Sequence, residues 1–98
     1  MEPVFRDNAL DTLEIDADFD GGYSPAIVRG FRKRMQQIRA AVDERDFYSL
    51  KSLRFEKLGG DRKGQYSMRI NDQWRLIIEF QGRGADKHIV IVAIEDYH

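Results

Sequence analysis

Hydrophobic and polar residues alternate along the second half of the chain in three short runs. The runs are KGQYSMRI, QWRLIIEF and KHIVIVAIEDY, and they are separated by NDQ and by QGRGAD. Alternation with a period of two, bounded by Gly, Asn and Asp, is typical of β-strands. Because the separating segments are short, we expect the strands to pair antiparallel as hairpins.

The first half of the chain has helical spacing after a short strand, which PVFR predicts. DNALDTLEI predicts a short helix capped by Asp7, and a longer helix should begin after Ser24 with Pro25 at its first position. In the longer helix the apolar residues recur every three or four positions, which predicts one buried stripe. The stripe consists of Ile27, Phe31, Met35, Ile38 and Val42.

The hydrophobic pattern also predicts how the first two runs pair. Their apolar faces are Tyr66, Met68 and Ile70 on one strand and Trp74, Leu76, Ile78 and Phe80 on the other. Opposite residues of an antiparallel pair point the same way. If both apolar faces are buried against the helices, Ile70 pairs with Trp74 across a three-residue loop. This register places Arg69 directly opposite Arg75 on the uncovered face.

The predicted pair of arginines has no obvious role in folding, because like charges opposite each other destabilise a sheet. Guanidinium groups bind phosphate oxygens in a bidentate manner and stay charged. Arg69 and Arg75 therefore predict a phosphate-binding site on the open face. The alternative is that the two side chains diverge towards separate acids, such as Glu79 or Asp72.

The third run ends in Asp96, Tyr97 and His98, which are candidate catalytic residues. A histidine can act as an acid or a base near neutral pH. A tyrosine can stack on a nucleobase or orient a hydroxyl. By alternation, Glu95 and Tyr97 face one way and Asp96 and His98 the other. The register across QGRGAD decides which pair joins the arginines, and the pattern leaves that register open.

The charge of the chain is unevenly distributed, although the net charge is only −1. Residues 1–20 hold seven acids and one base, whereas residues 29–75 hold thirteen bases and six acids. A basic middle indicates a surface that faces a polyanion, or an ordinary solvated surface with uneven charge. The absence of cysteine excludes disulfides and thiolate metal sites, and we expect neither a metal nor a cofactor.

The length of 98 residues predicts a single domain, residues 1–98, made of one helical layer on one sheet. No apolar run approaches the ~20 residues that a membrane-spanning helix needs. The first ten residues lack a basic flank followed by an apolar stretch, so we see no signal peptide. We therefore expect a cytoplasmic protein without a membrane partner.

The block LRFEKLGGDRKGQYSMRINDQWRLIIEF, with IVIVAIEDYH after it, resembles the HigB branch of the RelE-like toxins of bacterial type II toxin–antitoxin systems. The resemblance is close over residues 24–98 and holds only in outline over the first 23. It implies an α+β, RelE-like fold in which two N-terminal helices pack on one face of a small, mainly antiparallel β-sheet.

The resemblance also implies an activity and partners. HigB-like toxins are ribosome-dependent mRNA endonucleases, or mRNA interferases, that cut mRNA in the ribosomal A site without metal and so inhibit translation. The expected chemistry is attack of a ribose 2′-OH on the neighbouring phosphate. The implied partners are mRNA and ribosomal RNA, and a HigA-like helix-turn-helix antitoxin through which operator DNA is contacted.

Residue roles carry over from the family to the matching positions. Arg75 would stabilise the phosphate and Arg69 would assist it. His98 and Tyr97 would handle protons or position the nucleotide, and Asp96 would orient His98 or bind substrate. The candidate RNA-binding residues are Arg62 and Lys63 in GDRKG and, on the basic face of the long helix, Arg32 and Lys33.

Two departures from the family pattern favour an alternative function. Glu56 stands where some members carry a histidine, and it is either a base in the reaction or a surface residue. The acidic segment DTLEIDADFDG is unusual for toxins that are mostly basic. The alternative is a catalytically weakened toxin-like domain that acts as an antitoxin-binding, operon-regulating partner.

Overall fold

A computed structural model describes residues 1–96, in which five strands form one sheet with helices on one of its faces. The strands are β1 (Pro3–Phe5), β2 (Glu56–Lys57), β3 (Gln65–Arg69), β4 (Trp74–Gln81) and β5 (His88–Asp96), and the helices are α1 (Asn8–Ile15), α2 (Pro25–Ala40) and α3 (Arg45–Ser49). The strand order is β1-β5-β4-β3-β2. β1 pairs parallel with β5 and the other pairs are antiparallel, which confirms the predicted α+β fold.

The two long helices begin at the predicted cap residues. The Asp7 side chain accepts a hydrogen bond from the Ala9 amide at 2.8 Å. The Ser24 hydroxyl accepts one from the Ile27 amide at 3.4 Å, and Pro25 occupies the first helical position. Both side chains satisfy amides that the first helical turn would otherwise leave unpaired. Among the described helices, none is long and apolar enough to cross a bilayer.

The core lies between α1, α2 and the apolar face of the sheet. Four of the five stripe residues of α2, namely Ile27, Phe31, Met35 and Ile38, are buried there, as predicted. Val42 is 85% exposed, so its assignment to the core was wrong. The reason is that α2 ends at Ala40 and Ala41 adopts an extended conformation, which takes Val42 off the helical stripe.

The β3–β4 hairpin has the predicted register. The Ile70 amide donates to the Trp74 carbonyl at 2.9 Å, and the Asn71 side chain accepts from the Trp74 amide at 2.8 Å. Arg69 is consequently the partner of Arg75 across the two strands. Because residues alternate between the two faces of a strand, Arg69 and Arg75 belong to the face that the helices leave uncovered.

A β-bulge between β4 and β5 settles the register that the pattern left open. Ile78 is opposite Ile91, but Ile77 is opposite Ala93, so Val92 is an extra residue in β5. A bulge of this kind changes which residues of the strand face each side of the sheet. Beyond the bulge Arg75 is opposite Glu95. Glu95 therefore faces the same side of the sheet as Arg75.

Gly30 of α2 lies against the β3–β4 hairpin. A Cβ at this position would be 2.6 Å from Ile70 Cγ2 and 3.1 Å from the Ile70 carbonyl oxygen. The close contact fixes the hairpin, and with it Arg69 and Arg75, relative to the helix.

We expect Gly30→Ala to lower the free energy of unfolding by about 1–3 kcal/mol, because the added methyl group overpacks the contact with Ile70. This loss exceeds the gain of about 1 kcal/mol from alanine's higher helix propensity. Urea unfolding measures the difference. Gln36→Ala, at an exposed position of the same helix, should stay within about 0.5 kcal/mol of wild type. Equal stability of Gly30→Ala and wild type would show that the hairpin can move away from α2.

Candidate functional site

The uncovered face of the sheet contains a cavity of about 220 Å³. Strands β3, β4 and β5 form its floor, and the segment around β2 forms one wall. Its lining residues are Leu58, Arg62, Ser67, Arg75, Ile77, Glu95 and Asp96. Three of the residues predicted from the sequence, Arg62, Arg75 and Asp96, are thus brought together in one place.

Arg75 lies almost buried in this cavity, with 9% of its side chain exposed. Its Nη1 donates to the Arg54 carbonyl at 3.2 Å, and its Nη2 lies 3.8 Å from the Glu56 carboxylate. Arg54 lies just before β2 and Glu56 is its first residue. The Arg75 side chain therefore extends from β4 across β3. Ser67 of β3 is paired with Glu56, and its small side chain leaves room for this path.

The backbone that holds Arg75 has an unusual conformation. Arg54 has φ of +44° and ψ of +48°, in the left-handed region. Non-glycine residues rarely adopt this region, and such conformations are concentrated at functional sites. Here it occurs at the residue whose carbonyl accepts from the Arg75 guanidinium.

Arg69 is opposite Arg75 along the backbone, but its side chain forms an ion pair with Asp72. It does not belong to the cavity lining. The Arg69 carbonyl accepts from Arg34 Nε at 2.6 Å. Burial lowers the pKa of Arg34 below its ordinary value, and the nearby charge of Arg69 lowers it further. The geometry is therefore the divergent one that was considered for the pair, with Asp72 as the acid.

Arg62 and Glu95 form a bidentate ion pair at the cavity, with N–O distances of 2.9 and 3.0 Å. Arg62 Nε also donates to Gln65 Oε1 at 2.8 Å. Arg62 is a predicted RNA-binding residue, whereas Glu95 was not predicted for the site. The alternation in β5 contained the signal, but only the bulge shows that Glu95 faces Arg75. Lys63, beside Arg62, is exposed and forms no ion pair with any residue in 1–96.

The terminal motif is only partly described. Asp96 lines the cavity, and its Oδ2 accepts from Gln73 Nε2 at 3.0 Å. Tyr97 and His98, the other two candidates from the motif, lie outside the described residues.

Ser67 is a lining residue that sequence analysis missed. It is 1% exposed, and its hydroxyl has no hydrogen-bond partner among residues 1–96. Buried polar groups in proteins are almost always hydrogen-bonded, so a buried hydroxyl without a partner beside a cavity is a functional signal. Its position in an otherwise ordinary strand gave no hint of this in the sequence.

Two of the five basic residues of α2 bind the N-terminal segment. Arg32 donates to three carbonyl oxygens at the end of α1 and beyond it, those of Leu13, Asp16 and Phe19, at 2.9–3.3 Å. Arg39 forms a bidentate pair with Glu14 at 2.7 and 2.8 Å. Lys33 is exposed and forms no ion pair within the described part of the chain. Glu14 thus neutralises Arg39, whereas Arg32 keeps its charge but has N–H groups occupied by backbone carbonyls.

A second bidentate pair occurs on the same sheet face but outside the cavity. Arg6 donates to both carboxylate oxygens of Glu79 at 2.7 and 3.2 Å. Gln65 donates to Glu79 as well, at 2.9 Å. These hydrogen bonds, first that of Arg6 and then that of Gln65, hold the pKa of Glu79 below its ordinary value. This pair resembles Arg62–Glu95 in chemistry and differs in location.

Solved structures with this architecture define a class of protein. A YoeB/ParE toxin from Agrobacterium tumefaciens is similar with a TM-score of 0.60 and 18% identity, and all of both chains is covered. A YoeB-YefM complex from Staphylococcus aureus has a similar chain, with a TM-score of 0.60 and 21% identity over 100% of this chain and 97% of that one. The chain therefore has the same fold as these two structures.

The sequence itself gives the family. The family described as "RelE-like toxin of type II toxin-antitoxin system HigB" has a sequence model that matches residues 3–98. The chain belongs to the HigB-like toxins, which confirms the resemblance over residues 24–98 and extends the match to residues 3–23. No curated protein sequence matches the chain.

Proposed function

We propose that this HigB-like toxin is a ribosome-dependent mRNA endonuclease that inhibits translation. The observation that carries the proposal is Arg75, an almost buried guanidinium in a cavity on the open sheet face with the Glu56 carboxylate 3.8 Å away. A fixed cation beside a carboxylate supplies charge stabilisation and a proton acceptor in one place. Cleavage of RNA by its own 2′-OH needs both.

The proposed reaction is an intramolecular transesterification at a phosphodiester of the RNA. The 2′-oxygen attacks the adjacent phosphorus, the bond from phosphorus to the 5′-oxygen breaks, and the products are a 2′,3′-cyclic phosphate and a 5′-hydroxyl. Glu56 accepts the proton of the 2′-OH, and Arg75 stabilises the charge that develops on the phosphate oxygens. By resemblance to the family, His98 or Tyr97 donates a proton to the leaving 5′-oxygen.

The remaining predicted residues have supporting roles in this proposal. Asp96 orients His98 or binds the nucleotide, as the family resemblance implies. Arg69 assists at the phosphate after leaving Asp72, a fully solvated partner that contributes little stability to an exposed pair. Lys63 contacts the RNA backbone near the cavity, and Arg62 contributes to RNA binding through the Glu95 carboxylate that it holds at the cavity. Lys33 and Arg32 of α2 contact ribosomal RNA. Arg32 does so with the N–H groups of its guanidinium that do not bond to the three backbone carbonyls.

We further propose that a HigA-like helix-turn-helix antitoxin neutralises the toxin in the cytoplasm and carries it to operator DNA. Membership of a type II toxin family supports such a partner. The similar S. aureus structure is itself named as a YoeB-YefM complex.

Mapping mRNA 5′ ends in a translating extract, with and without the protein, tests the proposed activity. We expect new ends within translated reading frames, and none when ribosomes are omitted. Fragments should carry 2′,3′-cyclic phosphates, because no water molecule takes part in the first step. If the protein is shown to be folded and the pattern of mRNA ends is unchanged, the proposal is contradicted. It is also contradicted if naked mRNA is cut as efficiently as mRNA on ribosomes.

The pairing of Arg32 and Arg39 with the N-terminal segment favours the weakened-toxin alternative, since it reduces the positive charge available to RNA. In that case the mRNA ends would not change, yet the protein would still bind its antitoxin. A pull-down with the product of a neighbouring helix-turn-helix gene, combined with the mRNA mapping, separates the two functions.

A further inference from the structure

We propose that the cavity beside Arg75 binds one nucleobase of the RNA, and that Glu95 selects bases bearing an exocyclic amino group over uracil. The inference rests on the proposed function, because it names the part of the substrate that the same site recognises. It concerns Glu95 and Ser67, neither of which the family resemblance assigned to a role.

The cavity has the size and walls that suit a single base. Its volume of about 220 Å³ is many times the ~10–15 Å³ that a cavity needs to hold one water molecule. Leu58 and Ile77 give it apolar surface, which can contact the flat faces of a ring. Polar groups on the remaining walls are then available to the edges of the base, which is how single-stranded RNA is usually distinguished.

The charges of the cavity fit a neutral ligand better than a second phosphate. Arg62 is neutralised by Glu95 through two hydrogen bonds. A phosphate placed between them would be attracted by Arg62 and repelled by the Glu95 carboxylate. A base with N–H donors is attracted by the carboxylate without this penalty, while Arg75 remains the phosphate-binding group next to it.

Glu95 is held so that it can act as a selective acceptor. Arg62 bonds to both of its oxygens, and Gln65 fixes Arg62 in turn. An ionised carboxylate has about four acceptor positions and no donor, so positions remain for a ligand while the ion pair stays intact. The amino groups of adenine, cytosine and guanine can donate to them. Uracil instead presents carbonyl oxygens on both sides of its single N–H, and the carboxylate repels these.

Ser67 supplies an independent indication that a polar ligand enters. Its hydroxyl is buried in the cavity wall and has no partner among residues 1–96. A hydroxyl can both donate and accept, so it can form a hydrogen bond with a ring nitrogen or a carbonyl group of either cytosine or uracil. A bound base would satisfy it, and we therefore expect Ser67 to contribute to affinity but not to the choice between bases.

Titration of the isotope-labelled protein with CMP and with UMP, followed by NMR, tests the inference without ribosomes or cleavage. The two nucleotides share ring size, ribose and phosphate, and differ at the 4-amino or 4-oxo group and at N3. We expect CMP to bind about tenfold more tightly than UMP, within the range for base-specific contacts. Shifts should be largest at the amides of Ser67, Ile77 and Glu95. Equal affinities, or shifts elsewhere only, would overturn the proposal.

Three variants test which residues cause the difference in affinity between CMP and UMP. Glu95→Gln adds an amide donor, so the ratio of the two affinities should fall below about threefold. Glu14→Gln is the matched control, because it alters a bidentate pair with Arg39 away from the cavity, and it should keep the wild-type ratio. Ser67→Ala should weaken both nucleotides to a similar extent. An unchanged ratio in Glu95→Gln would remove Glu95 from base selection.

The nucleotide titration and the mRNA mapping can fail independently, so failure of base selection is distinguishable from failure of the proposed function. If CMP and UMP bind equally but mRNA is cut in translating extracts, only the base-selection inference fails. If CMP is preferred but no mRNA is cut, the cavity binds a base in a protein that lacks the proposed activity.

Discussion

Arg75→Met should reduce mRNA cleavage in translating extracts by about 10²–10³-fold, the usual loss when one group that stabilises transition-state charge is removed. Arg75 is the buried cation of the cavity, and in the proposed reaction it contacts the phosphate whose charge increases. Expression of the variant should therefore no longer arrest growth. Counting cut mRNA ends per ribosome gives the size of the effect.

Methionine is chosen because it preserves the apolar volume of the arginine stem. The Arg54 carbonyl loses a donor, but Arg54 is an exposed residue and water can take its place. Circular dichroism and thermal unfolding check that the variant is folded. Arg6→Met, which breaks the other ion pair on the same face, should cut at the wild-type rate. A folded Arg75→Met protein with wild-type cleavage would exclude Arg75 from the mechanism.

Arg75→Lys refines this result, because it keeps the positive charge and loses the planar fork that binds two phosphate oxygens at once. We expect intermediate cleavage, above that of Arg75→Met and at least tenfold below wild type. This ordering would show that geometry, and not charge alone, contributes at the phosphate.

Glu56→Gln should lower cleavage by about 10²–10⁴-fold if Glu56 accepts the proton of the 2′-OH, since this is the usual contribution of a general base. Gln keeps the size of the side chain and its hydrogen-bonding capacity but cannot take up the proton. Because Glu56 is on a two-residue edge strand and 48% of its side chain is exposed, the substitution should leave stability nearly unchanged.

Glu14→Gln is again the matched control, as a carboxylate paired with an arginine away from the cavity, and should retain full cleavage. Cleavage within threefold of wild type in Glu56→Gln would make Glu56 a surface residue. The proton transfers would then rest with Tyr97 and His98, and His98→Ala would become the decisive variant.

The alternating pattern was sufficient to predict strands β3, β4 and β5 and part of the site. Burial of Met68, Ile70 and Leu76 on one face forces Arg69 and Arg75 to the other, because a slip of one residue would invert every side chain. The family motif then supplied roles for these arginines. The strand register and the motif are both local in the sequence, so these two arginines could be predicted without contacts between distant residues.

Side-chain partners could not be predicted in the same way. Arg69 pairs with Asp72 and Arg62 with Glu95, and the second pair spans 33 positions of the chain. Ion pairs between flexible side chains differ little in free energy from their solvated alternatives, so sequence patterns hardly constrain them. Val42 was misplaced for a related reason, because periodicity continues past the residue at which backbone geometry ends a helix.

The extra residue in β5 governs which chemical groups a substrate would meet. If Val92 were paired with Ile77 instead of being the extra residue, the pairing that holds from Gln81 to Ile78 would continue and place Ile94 opposite Arg75. An aliphatic side chain would then lie beside Arg75, and Glu95 would face the helices. Ile91 and Ile94 are three positions apart, a spacing that puts two residues on opposite faces of a regular strand, yet both belong to the core. The extra residue therefore lets one strand supply both isoleucines to the core and still present the Glu95 carboxylate on the open face.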